Sequence, residues 1–174
     1  MLYRTDDVAA GRGDIYARRL GGDTTTIPIA VTDAEETSAT VSPDGHWIAY
    51  AMRIEATKEV VVRPFPNIDA GRVQVSMGGG AEPLWSTNGR TLFYHNGVTG
   101  EVLSAEMTPD GTFPVSGRSV RFQSAPREYL DNDDTRQYAL MPDGSGFVMI
   151  RRVRRPAESA ATRLILREGI AGDR

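Results

Sequence analysis

Hydrophobic and polar positions alternate along this chain in short runs, separated by clusters of Gly, Pro, Asn, Asp and Ser. Glu36 to Phe65 shows the pattern most plainly, and the rest of the chain repeats it. Thr37 to Ser42 reads as one strand, His46 to Met52 as a second, and Glu59 to Phe65 as a third built on Val60, Val61 and Val62. A period of two over such lengths is the mark of a half-buried strand. Between the first two strands stands Pro43-Asp44-Gly45. Proline presets the backbone of a turn and glycine admits φ > 0, so this tripeptide predicts a hairpin.

The same module returns twice, as Glu82 to His95 with Asn88-Gly89 at its turn and as Tyr138 to Ile150 with Pro142-Asp143-Gly144. The turn glycines Gly45, Gly89 and Gly144 lie 44 and 55 residues apart. Repeats of about 40 to 50 residues, each holding several strands, predict the blades of a β-propeller. Naming a blade's strands A to D from the centre outward, Met1 to Arg4 resembles the end of a B strand. Asp14 to Leu20 then reads as C and Thr26 to Thr32 as D. Two complete blades follow, with A to D at 37–42, 46–52, 59–65 and 72–77, then at 82–86, 90–95, 101–107 and 118–124. Met77-Gly78-Gly79-Gly80 links them. The last module has A at 136–141, B at 146–152 and C at 162–168.

The predicted fold class is therefore all-β, one partial β-propeller of four-stranded antiparallel blades over residues 1–174. It divides into a blade fragment 1–33, blades 34–77 and 78–125, and a blade fragment 126–170. Strands number three, four, four and three. Incomplete end blades present open flanks, and open edges favour self-association. The expectation is a homodimer that closes a ring of seven or eight blades.

Composition narrows the function classes. With 40% hydrophobic residues a sizeable core is available, while a net charge of −3 argues against a nucleic-acid partner. Zero cysteines exclude disulfides and thiolate metal sites. No apolar run approaches the length of a membrane span, and Met1 opens no signal-like segment, so the chain is expected neither to insert in a membrane nor to export itself.

Val41-Ser42-Pro43-Asp44-Gly45-His46-Trp47-Ile48-Ala49-Tyr50 resembles the PD40, or TolB-like, β-propeller family, distantly similar to WD40 propellers. Gly79-Gly80-Ala81-Glu82-Pro83-Leu84-Trp85-Ser86 and Leu92-Phe93-Tyr94 match as well, and Glu59 to Phe65 and Tyr138 to Met149 complete the likeness. The chain most resembles the propeller segments that follow bacterial serine/threonine kinase domains. The resemblance implies a sensor or interaction module in a periplasmic or other extracytoplasmic location. No kinase motif is present: a glycine-rich loop with its lysine, His-Arg-Asp and Asp-Phe-Gly are all lacking.

Catalytic motifs are equally lacking, whether Gly-x-Ser-x-Gly, His-Glu-x-x-His or Walker A. Blade topology sorts the remaining candidates. D–A links and B–C turns share one face of a propeller, and A–B turns lie on the other. Glu35, Glu36, Glu82, His95, Asp131, Asp133 and Asp134 fall on the first face, and His46 on the second. Ser38, Glu82 and Gln137 occupy equivalent innermost positions that should line or rim the channel, so Glu36, Ser38, Glu82 and Gln137 are the binding candidates. Two readings follow. One is a non-catalytic module binding a protein or small molecule at the channel mouth. The other is a metal-dependent ester or phosphoester hydrolase formed in the dimer, its zinc or manganese held by His95, Glu82, Glu36 and Asp133. Against the second stands the ordinary role of such residues, with His95 in a surface turn and Glu82 capping backbone. Trp47, Trp85 and Tyr94 read as core between blades.

Overall fold

The structure, a computed structural model, describes residues 1–7, 12–21, 24–108, 115–123, 136–151 and 163–168, with Arg151 and 163–168 described as strand path alone. Strands β1 (Leu2–Asp7), β2 (Arg12–Arg18) and β3 (Thr26–Ala30) form the first sheet. The second sheet runs β4 (Glu36–Val41), β5 (Trp47–Ile54), β6 (Thr57–Pro64) and β7 (Val73–Gln74). In the third, β8 (Ala81–Trp85), β9 (Thr91–Asn96), β10 (Glu101–Met107) and β11 (Val115–Gln123) lie in that order, and β12 (Tyr138–Leu140), β13 (Gly146–Arg151) and β14 (Arg163–Glu168) make the fourth. Every pairing is antiparallel between chain neighbours. Among the described residues the sheets hold three, four, four and three strands, the count that the repeats predict. The fold is all-β, a partial propeller of antiparallel blades.

The A–B turns show why the repeat is legible. Gly45, Gly89 and Gly144 sit at φ 76°, 70° and 72°, and each donates its N–H back to the first turn residue, Ser42, Ser86 or Met141. Asp44, Asn88 and Asp143 each accept the N–H two residues on, at 3.0 Å in all three. Ser42 and Ser86 add an acceptor for Trp47 and Thr91. The hydrogen bonds from Ser42 and Ser145 hold the Asp44 and Asp143 carboxyls below their ordinary pKa. Glycine, a short acceptor side chain and a hydroxyl together satisfy a left-handed turn without help from the rest of the fold.

Strand ends depart from the sequence reading where tertiary contacts intervene. The outer strand expected at 72–77 is reduced to Val73–Gln74. Val75 and Ser76 both donate to the Val60 carbonyl, and the Ser76 hydroxyl accepts the Val60 N–H, so the chain leaves the ladder there. β11 starts at Val115 rather than Arg118, with register shifts opposite Val102/Leu103 and Glu106/Met107.

Three apolar seams join successive sheets. Ile15, Ala17 and Ile29 of the first meet Ile48, Tyr50 and Val61 of the second. Ala49, Val60, Val62 and Val75 then meet Trp85, Leu92 and Tyr94 of the third, with Trp47 packed against the same cluster. Phe93 and Val102 meet Tyr138, Phe147 and Met149 of the fourth, and the Phe93 and Phe147 rings pack edge to face at 5.0 Å. Trp85 and Tyr94 are core, as expected, and Trp47 is half-buried against the same seam. Alternation within each strand sends one set of side chains to the preceding sheet and the other to the next.

Candidate functional site

Innermost strands β4 and β8 carry Glu36, Ser38 and Glu82, and Gln137 immediately precedes β12. Ser38, Glu82 and Gln137 each stand four residues before the first turn residue, Ser42, Ser86 and Met141, so their equivalence holds in the observed register. In β4 and β8 that position is a bulge, and the bulged residues Ser38 and Glu82 take left-handed backbone at φ 57° and 53°. Left-handed φ at residues with side chains marks over-determined geometry.

The surroundings of Glu82 supply that determination. Its carboxylate accepts the Gln137 N–H at 2.8 Å, and its carbonyl accepts the Tyr138 hydroxyl at 2.7 Å. Arg136 donates to the Pro83 carbonyl at 3.0 Å. Together these clip β12 onto β8. Burial first, and the Glu82 charge second, raise the Tyr138 hydroxyl well above its ordinary pKa, so it stays a donor. Glu82 is only 3% exposed and Gln137 is buried beside it. One step outward in the chain of seams, the Trp85 indole donates to the Thr40 carbonyl, joining β8 to β4.

Glu36 is fully buried and accepts a hydrogen bond from the Thr32 hydroxyl, while its second carboxylate oxygen is buried with no partner among the described residues. Desolvation raises its pKa, Asp14 adds to the rise, and Thr32, Arg72 and Arg12 offset part of it. His95 is buried near the end of β9, paired across the ladders with Ala81 and Val102. Asp133 lies outside the described residues, as do Asp131 and Asp134. Among the described residues no three His, Asp or Glu side chains converge as metal ligands would. The structure thus brings Glu82 and Gln137 together, and sets Glu36 on a different seam.

A residue not singled out in the sequence organises the link between the two complete blades. Glu59 is buried and accepts hydrogen bonds from the Ser76 hydroxyl, the Gly79 N–H at 2.9 Å and the Thr57 hydroxyl at 3.2 Å. The Asn96 side chain donates to the Gly78 carbonyl and accepts from Val98 and Thr99. An acidic residue heads three third-position strands, at Asp14, Glu59 and Glu101, and that recurrence was the available signal.

Beside this link opens a cleft of about 340 Å³ lined by Arg53, Thr57, Lys58, Gly79, Gly80 and Asn96, among others. It lies where B–C turns and a D–A link meet, on the face that topology assigns to His95. Glu35 pairs with both cations, with Arg53 at 2.9 Å and Lys58 at 3.2 Å. His46 lies in the A–B turn at the opposite end, exposed and 3.3 Å from Asp44.

Sheets stacked by alternating faces around inner strands β4, β8 and β12 match solved propellers. TolB from Acinetobacter baumannii superposes with a TM-score of 0.62 at 15% identity, over 99% of this chain and 39% of that one. The putative TolB from Agrobacterium tumefaciens gives 0.61 at 19% identity, over 99% and 59%. This chain has the TolB-like β-propeller fold. An oligogalacturonate lyase from Vibrio parahaemolyticus is also similar, with a TM-score of 0.53 at 13% identity over 91% of this chain and 38% of that one. This chain spans less than two thirds of the length of each of these structures. No protein-family model matches the sequence, and no curated protein is similar to it.

Proposed function

We propose that this TolB-like propeller segment is a non-catalytic binding module, working outside the cytoplasm, that receives an acidic group of a protein or small-molecule ligand on its D–A/B–C face. One observation carries the reading. Glu82 and Glu59 are buried and committed there, Glu82 to the Gln137 N–H and Glu59 to the Gly79 N–H, while an open cleft on the same face holds Arg53 and Lys58. A concave site with a few convergent polar groups is the ordinary form of a ligand pocket. Arg53 and Lys58 share Glu35, and an incoming carboxylate would compete for them. The resemblance to sensor propellers motivates the binding role, and the two neighbours named TolB support a propeller module. The metal-dependent hydrolase reading would need Glu82 released from Gln137, and no observation favours it.

The test is an NMR titration of the chain with citrate and with a short acidic peptide. Amide shifts confined to Gly79, Gly80, Ala81 and Gly97, and lost in the Arg53→Ala, Lys58→Ala variant, are expected. Shifts elsewhere, or none, would discard the cleft. Zinc- or manganese-dependent turnover of a nitrophenyl ester that disappears in Glu82→Gln would replace binding by hydrolysis.

A further inference from the structure

The cleft beside Arg53 and Lys58 has two unlike walls. One is the B–C turn of the second sheet, with Arg53, Thr57 and Lys58, and the other is that of the third, with Asn96, Gly97 and Val98. The glycine link runs between them. Gly80 donates its N–H to the Lys58 carbonyl on one side, and the Gly78 carbonyl accepts from the Asn96 side chain on the other. Every residue lining the cleft belongs to the two four-stranded sheets or to this link.

The cationic wall keeps donors to spare. Arg53 gives Glu35 one guanidinium nitrogen, Nη2, at 2.9 Å, while Nη1 and Nε have no partner among the described residues. Its side chain is 46% exposed. The planar fork of a guanidinium fits both oxygens of a carboxylate. The facing wall is apolar at its rim. Val98 lines the cleft and is 73% exposed, and Met77, at the head of the link, is 74% exposed. The Asn96 side chain already holds the Val98 and Thr99 N–H groups, so this wall offers a ligand hydrocarbon rather than hydrogen bonds.

No acidic side chain lines the cleft among the described residues. A free amino acid would set its ammonium beside Arg53 and Lys58, with only Glu35 near, and both cations already share that carboxylate. An amide nitrogen in place of the ammonium removes the conflict. At about 340 Å³ the space is close to the lower bound of ligand sites, ~300 Å³, which suits the end of a chain rather than a long segment.

We propose that this cleft captures the C-terminus of a polypeptide ending in a branched apolar residue, its carboxylate on Arg53 and Lys58 and its last side chain against Val98. Capture of a terminal carboxylate is a recurring mode of peptide recognition. The inference rests on the reading that the cleft receives an acidic group, and it names the class of ligand.

The titration followed by NMR tests it with four further ligands. Acetyl-alanyl-leucine should move the amides of Gly79, Gly80 and Gly97. It should bind at least about tenfold more tightly than acetyl-alanyl-glycine, free leucine or acetyl-alanyl-leucinamide. Val98→Ser, at an exposed turn position, should erase the preference for leucine over glycine at the chain end. Equal affinity for the glycyl peptide or for free leucine, or a preference that survives Val98→Ser, overturns this inference and leaves the binding of acidic groups standing. Equal affinity for the leucinamide, or amides unmoved by citrate and by all four ligands, overturns both.

Discussion

The Glu82 carboxylate accepts the Gln137 N–H at 2.8 Å, across 55 residues of sequence and from one innermost strand to the next. Both residues stand at the same place in their repeats. A position that reads as channel lining thus also stitches one blade to its neighbour, its carboxylate accepting a backbone N–H.

Removing that acceptor leaves a buried N–H unsatisfied, with a cost for a charged hydrogen bond of about 2 kcal/mol. Glu82→Ala should lower the urea midpoint accordingly. Glu82→Gly should lower it less, because glycine relieves the left-handed φ of 53° that alanine keeps. An alanine variant as stable as the glycine variant would refute the role assigned to backbone strain here.

Glu36 predicts a pH dependence. Its pKa is raised from the ordinary 4.5, chiefly by burial, so the folded chain holds this proton more tightly than the unfolded chain does. The resulting stability is complete below pH 4.5 and is lost as pH rises through the folded-state value. Glu36→Gln should remove this slope and be the more stable form at neutral pH. Urea midpoints of both proteins from pH 4.5 to neutrality decide the matter; parallel curves would mean that Glu36 does not titrate in that window.

Asp44 and Asp143 carry the opposite sign. Hydrogen bonds from Ser42 and Ser145 lower their pKa from 3.8, so the stability they add is present above that value and is lost in more acid solution. In Ser42→Ala the Asp44 carboxyl should titrate closer to 3.8, measured from its side-chain carbon shift. No movement would show that the turn hydroxyl does not set this carboxyl.

Glu59 holds the link between the complete blades, and Glu59→Ala strands the Ser76 hydroxyl and the Gly79 N–H at a cost of about 3 kcal/mol. Amide exchange at Gly79 and Gly80 should accelerate more than exchange in β12 or β13. Uniform acceleration would mean that Glu59 supports the whole core rather than this link.

Much of the architecture was legible because its causes are local. Ser42-Pro43-Asp44-Gly45, Ser86-Thr87-Asn88-Gly89 and Met141-Pro142-Asp143-Gly144 each close a turn with their own atoms, so each anchors the register of the strand before it. That anchoring is why Ser38, Glu82 and Gln137 could be aligned by counting backwards from the turns. The left-handed backbone at Ser38 and Glu82 was not legible, since neither is glycine and the bulge arises from how β4 and β8 pair with β5 and β9. Nor was the shortening of β7, which follows from hydrogen bonds to Val60.

By itself the sequence determined that this chain is a run of short antiparallel strands in repeated modules, because alternation and turn chemistry act over a few residues. Only the tertiary structure decided what the carboxylates do. Whether Glu36, Glu59 or Glu82 meets water, a ligand or a backbone N–H depends on atoms brought in from other strands and links, as far as 55 residues away for Glu82 and Gln137. Desolvation depends on those neighbours, and no pattern along one strand encodes them.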